Sequence, residues 1–182
     1  MPLAVKGIYV GIDLALPNRK RTGFGLINTG DRTYAVDTLS TREEIINSVL
    51  RQSPSLICID APLGLPKNGI NRLVEVKARR LGLRLIPPLL GPMRWLTIYG
   101  IQIASELRKY GFRVLEVHPT STLRILGMSR QDFVKFITLG LRGGPVISNE
   151  HEVDALVSAF TCLLHDHGCT EELAGGLEDE AP

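Results

Sequence analysis

The amino-acid sequence predicts an α/β fold, a sheet with helices laid against it, and three patterns carry that expectation. Ile8, Val10, Ile12 and Leu14 alternate with Tyr9, Gly11 and Asp13, the period of two expected of a covered strand. Leu56-Ile57-Cys58-Ile59 is a continuous apolar run stopped by Pro62, which suits a strand buried on both faces in a parallel region. Leu96, Tyr99, Ile103, Leu107 and Tyr110 recur at helical spacing.

The first strand contains a conflict. Gly11 weakens it, and the usual justification is close approach by another backbone or a ligand. Asp13, two residues on and on the same face, is a carboxylate that is costly to ionise there unless a metal ion, an arginine or cleft water meets it. Pro17 to Gly23 then combines turn chemistry with the basic cluster Arg19, Lys20 and Arg21. Phe24 to Asn28 resumes the extended pattern, and Thr29-Gly30-Asp31-Arg32 turns into a third strand over Thr33 to Leu39, so the first three strands read as a meander.

Ser40 or Thr41 caps a helix whose apolar face is Ile45, Ile46, Val49 and Leu50. After the Leu56 run the chain is irregular from Leu63 to Pro92, except for a helix over Arg72 to Leu81; a connection this long is usually functional or mobile. It carries Arg72, Lys77, Arg79, Arg80 and Arg84. Beyond the Leu96–Tyr110 helix, Arg113 to Val117 is a short strand ended by His118-Pro119, and helical material runs from Thr120 to Leu139. Asn149 with Glu152 looks like a capping box opening a last helix striped by Val153, Leu156, Val157, Phe160, Leu163 and Leu164.

A chain of 182 residues, 44% hydrophobic and 22% charged, suits one domain over 1–168, followed by an acidic, Gly-rich flexible tail over 169–182. A net charge of +2 is too mild to argue for nucleic acid by itself, so the local clusters must do so. Cys58, Cys162 and Cys169 form no Cys-x-x-Cys pair and read as reduced thiols of a cytoplasmic protein. Neither a signal peptide nor a membrane span is expected.

Three strands each deliver an acid: Asp13, Asp60 and Glu116. In sheets with parallel strands, ligands sit beyond the carboxyl ends, where such groups converge. Clustered carboxylates repel one another and imply hard cations, with oxygen ligation favouring magnesium or manganese over zinc. Asp154, in the first turns of the last helix, can reach the same place.

Five segments then carry a resemblance: Gly11-Ile12-Asp13-Leu14-Ala15, Ile59-Asp60-Ala61-Pro62-Leu63-Gly64-Leu65-Pro66, Leu96-Thr97 with Gly100, Glu116-Val117-His118-Pro119, and His151-Glu152-Val153-Asp154-Ala155-Leu156. In that order, over about residues 7 to 164, they resemble the motif series of the family known as domain of unknown function 429, regarded as predicted nucleases with a ribonuclease-H-like fold. The resemblance implies a mixed five-stranded sheet, three antiparallel strands then two parallel, flanked by helices, with Asp13, Asp60, Glu116 and Asp154 holding two divalent metals. Two such ions suit in-line hydrolysis of DNA or RNA phosphodiesters. Arg19, Lys20, Arg21 and Arg72, Lys77, Arg79, Arg80, Arg84 would then hold the phosphate backbone.

Each residue also has a plainer reading. Asp13 fits a structural pair with an arginine, Asp60 a turn before Ala-Pro, Glu116 a solvated strand end and Asp154 a helix-dipole acid. Glu152 is assigned to the helix cap. His118 is a candidate proton shuttle or a structural imidazole before Pro119, and His151 calls for the same choice. His165, His167 and Cys169 are read as adventitious, and Trp95 as core rather than a base-stacking platform. Competing functions are a phosphotransferase or ATPase, with Gly11-Ile12-Asp13 and Thr22-Gly23 cradling phosphates, and a non-catalytic nucleic-acid-binding scaffold. No Ser-His-Asp order, Walker loop or dinucleotide fingerprint appears.

Overall fold

The structure, a computed structural model, describes residues 6–17 and 21–173 and the backbone of residues 180–181. The expected meander is present: β1 (Ile8–Asp13) pairs antiparallel with β2 (Thr22–Asn28), and β2 with β3 (Thr33–Leu39). On its other side β1 pairs parallel with β4 (Leu56–Asp60), and β4 parallel with β6 (Val114–Glu116). Three short strands were not expected; one of them, β7 (Arg142–Gly143), adds to the outer edge of β3, making the expected five-stranded sheet six-stranded in the order β6-β4-β1-β2-β3-β7. The other two, β5 (Leu65–Pro66) and β8 (Glu180–Ala181), pair antiparallel with each other, and the rest of the expected acidic tail beyond Leu173 lies outside the described residues.

Helices cover both faces. On one lie α1 (Arg42–Gln52) and α3 (Met93–Lys109), burying Ile45, Val49, Ile103 and Leu107 against Val10, Ile12, Ile57 and Ile59. Thr41 caps α1 in a reciprocal box with Glu44. On the other face lie α4 (Pro119–Leu126), α5 (Arg130–Gly140) and α6 (Glu150–Asp166), around Tyr9, Ile27, Leu56, Leu156 and Val157. The helical stretch expected over Thr120 to Leu139 is two helices, because Gly127 takes φ 65° at the end of α4 and Ser129 caps α5 afresh. The basic helix is α2 (Leu73–Arg80). Among the described residues no helix is long and apolar enough to cross a membrane.

Two expectations fail in the core. Cys58 and Cys162 are joined in a disulfide rather than held as thiols; Cys58 leaves β4 on the face that α6 covers, and the two Cα atoms lie 5.8 Å apart. Cys169 is free and exposed. Trp95, expected in the core, is 63% exposed in the first turn of α3, with the Arg94 guanidinium 5.8 Å from its ring centre.

The placement of α6 depends on glycine. It packs across β1, β2 and β4. A Cβ on Gly11 would lie 2.0 Å from the Ala155 carbonyl oxygen, and one on Gly23 2.1 Å from that of His151. Gly25, the register partner of Gly11, is equally closed, with Ala155 and Leu156 backbone atoms 2.6 Å from a Cβ. The approach that Gly11 predicted is therefore made by the backbone of α6.

Candidate functional site

The β1–β4 register sets Asp13 directly opposite Asp60 at the carboxyl ends of neighbouring parallel strands. In-register parallel neighbours leave the sheet on the same face. Here that is the α6 face, since Cys58, two residues before Asp60, is bonded to Cys162, and Gly11, two before Asp13, abuts Ala155. The glycine floor lets α6 bring His151 and Asp154, one turn apart, over this end of the sheet. His151 Nδ1 lies 2.6 Å from Asp13 Oδ2. Asp154 receives a forked pair from Arg130 of α5, Nε to Oδ1 at 2.8 Å and Nη2 to Oδ2 at 2.7 Å.

Glu116 has a different environment. Its register partner is Ile59, not Asp60, so it leaves the sheet on the α3 face. There Arg72 donates to both carboxylate oxygens, at 2.7 and 2.6 Å, and the Leu63 amide donates to Oε2 at 2.7 Å. The same guanidinium binds Glu75 at 2.6 Å, and the side chains of Arg72 and Glu75 are each 1% exposed. Arg72 is thus the core of a buried ionic cluster and not the solvent-facing phosphate contact that the sequence suggested. Pairing with two carboxylates holds its own pKa above the ordinary value, despite burial.

The two faces meet at the rim. A cavity of about 210 Å³ is lined by Asp13, Asp60, Glu116, His118, Arg72 and Ile86, among others. His118 caps α4 and is held through Nδ1, 2.7 Å from Ser121 Oγ; burial pushes its pKa below the ordinary value, which favours the neutral ring. The Asp60 carboxylate accepts no hydrogen bond from any described residue. Burial first, and then the carboxylates of Asp13, Asp154 and Glu116, hold its pKa well above the ordinary 3.8. Burial raises Asp13 too, against the opposing pull of His151.

Chemically this end of the molecule has too little positive charge. Five carboxylates, Asp13, Asp60, Glu75, Glu116 and Asp154, face two guanidiniums and two imidazoles, those of His118 and His151. A set dominated by oxygen donors fits a hard divalent cation. Asp60, whose charge no described side chain neutralises by direct contact, is where that fit is closest. Among the described residues no three His, Cys, Asp or Glu side chains already form a cage.

Other sequence candidates fall elsewhere. Arg19 and Lys20 lie outside the described residues, while Arg21 is exposed and its charge acts on Glu44 of α1. Arg79, Arg80 and Arg84 are exposed and Lys77 half-buried. Glu152 takes the capping role in altered form: Asn149 accepts from its amide, while its carboxylate accepts from the Ser148 amide and the Thr38 hydroxyl. His165 turns to Thr170 and His167 to the Leu163 carbonyl, so the terminal cluster does not converge. The sequence offers no reading of Arg130, suggests a turn or solvated face for Glu75, which is buried instead, and leaves His151 undecided. Only His151 carried a signal, its place three residues before Asp154 on one helix face.

No family model and no curated protein matches the chain. Among solved structures it is similar to Thermus thermophilus RuvC in complex with a Holliday junction substrate, with a TM-score of 0.56 and 14% identity over 89% of this chain and 97% of that one. A second Thermus thermophilus RuvC structure gives a TM-score of 0.50 and 15% identity over 88% of this chain and 96% of that one. With the strand order described above, these likenesses establish the architecture: the chain has a mixed α/β sheet of the ribonuclease-H-like fold.

Proposed function

We propose that the protein is a divalent-metal-dependent nuclease that hydrolyses phosphodiester bonds of DNA or RNA, and that it belongs with the domain of unknown function 429 family its motifs resemble. The observation that carries this reading is the in-register pair Asp13 and Asp60 on the face where α6 delivers Asp154. The likeness to a protein solved in complex with a Holliday junction substrate supports a nucleic-acid substrate.

Asp13, Asp60 and Asp154 would hold the metal. Bound there, a pair of magnesium or manganese ions supplies the charge that activates water and stabilises the departing oxygen of an in-line displacement. His151 fixes the orientation of Asp13 through Nδ1. Arg130, whose side chain is 40% exposed, neutralises Asp154 and would offer its guanidinium to a phosphate at this rim. Glu116 contributes charge to the rim while Arg72 and the Leu63 amide fix its oxygens, so its part is positioning.

Magnesium and manganese titrations of wild type, Asp13→Asn and Asp60→Asn against mixed DNA and RNA substrates test the reading. Wild type should cleave only with metal, and either variant should lose cleavage. Glu116→Gln should lose about 10- to 100-fold, the scale of an outer-shell partner. Full activity in both aspartate variants would refute the proposal.

A further inference from the structure

From Ala61 to Ser105 the sole acidic residue is Glu75, which Arg72 holds in the core, and every other charged residue is Lys or Arg. Arg80, Arg84 and Arg94 are exposed in this segment. So are Ile86 at 55%, Leu90 at 52% and Trp95 at 63%. Monomer surfaces commonly show single apolar side chains, but three large exposed ones within ten residues of chain, set among same-sign charges, mark an interaction site. The segment reaches the acid cavity at one end: Ile86 lines it while remaining exposed, and Met93 and Leu96 line it from the first turn of α3, the turn that also carries the exposed Trp95.

We propose that this rim binds unpaired bases of a nucleic-acid strand, with Trp95 as the stacking platform, Ile86 and Leu90 as its apolar extension, and Arg80, Arg84 and Arg94 on flanking phosphates. The inference rests on the nuclease reading and narrows its substrate to single-stranded or branched nucleic acid. The occupant must be anionic to suit the arginines and must present flat apolar faces to suit the indole and the two aliphatic side chains. A duplex hides its base faces in the stack and shows phosphate and sugar outward, so it meets only the charges. A single strand meets both. Arg94, 5.8 Å from the indole centre, orients the ring and sets a cation beside the stacked base. A membrane surface matches the same composition. However, Ile86 and Leu90 lie in an irregular connection rather than on an amphipathic helix, and the patch runs into a cavity that a strand can enter and a bilayer cannot.

Trp95 is the chain's one tryptophan, so its emission reports on this surface alone. The full chain is titrated in EDTA at fixed ionic strength with a single-stranded oligonucleotide, its duplex, and vesicles of phosphatidylglycerol and phosphatidylcholine. Single strand should quench the emission at concentrations at least about ten-fold below duplex, the scale of losing base stacking. Anisotropy of a labelled strand should show Trp95→Ala weakened about ten-fold or more, Trp95→Phe restoring most of the affinity, and Arg84→Gln lowering the salt slope by about one. Equal quenching by duplex, quenching by vesicles alone, or wild-type affinity in Trp95→Ala would overturn the proposal. Because EDTA removes turnover, the two readings fail separately. Strand-selective quenching without metal-dependent cleavage leaves this surface standing and removes the nuclease; cleavage without strand selectivity does the reverse.

Discussion

Asp60 shows how one side chain sets the behaviour of its surroundings. Burial and three neighbouring carboxylates raise its pKa in the folded chain, so the folded state binds that proton more tightly than the unfolded state does. The resulting stability is complete below the unfolded value and is lost as pH rises from there through the folded one; Asp13, raised in the same direction, adds to it. Glu44, Asp132 and Glu152 are shifted the other way, so the test is a difference: in EDTA, raising pH from about 4 should lower the wild-type urea midpoint relative to that of Asp60→Asn, which should be the more stable protein at neutral pH. A wild-type midpoint that keeps a constant distance from, or gains on, that of Asp60→Asn over this range would contradict the assignment. Arg72 presents the opposite case. With its side chain 1% exposed between Glu75 and Glu116, its removal leaves two carboxylates without their cation, so Arg72→Met should cost about 3–5 kcal/mol in urea denaturation. An exposed phosphate contact would cost almost nothing, and the denaturation curve separates the two roles.

At the scale of elements, the site exists because a helix lies unusually close to a sheet. The sequence showed β1 to β4 within a residue or two, since alternation, turn chemistry and a continuous apolar run are local signals. It also placed Gly11 beside Asp13 for close backbone approach, but it did not show which element approached, because that depends on Gly23 and Gly25 joining the same floor. Glu116 shows a related limit. Its position at a strand end is legible, whereas the face it leaves on is fixed by register with Ile59, which no local pattern contains. Arg130 was invisible because it sits 24 residues from Asp154 on another helix. The floor yields a test. Gly11→Ala drives a methyl into the Ala155 carbonyl and should cost about 1–3 kcal/mol while reducing cleavage, because α6 carries His151 and Asp154 away with it. Gly140→Ala, where nothing lies within 4 Å of the new methyl, is the control and should be neutral or stabilising. Equal urea midpoints for the two variants would remove the floor from the explanation.

Over the whole molecule, one covalent bond ties the sheet to the helix that completes the site. Cys58 lies two residues before Asp60 on β4 and Cys162 eight after Asp154 on α6, so the disulfide fastens the two elements that carry those acids. The sequence reading took these residues for thiols because both sit in apolar runs without a nearby partner; a separation of 104 residues leaves no local trace of the pairing. With that reading goes the main argument for a reducing, cytoplasmic setting. The long separation also sets the size of the effect, because closing a loop of this length removes much of the unfolded chain's freedom. Reduction, or Cys162→Ala, should therefore lower unfolding free energy by about 3–5 kcal/mol, read as a urea midpoint shift with and without dithiothreitol. Non-reducing mass spectrometry should find Cys58 and Cys162 in one cross-linked peptide and Cys169 alkylated. If alkylation labels all three cysteines in the unreduced, urea-unfolded chain and dithiothreitol leaves the midpoint unmoved, the two sulfurs are packed thiols and the cytoplasmic expectation regains its support.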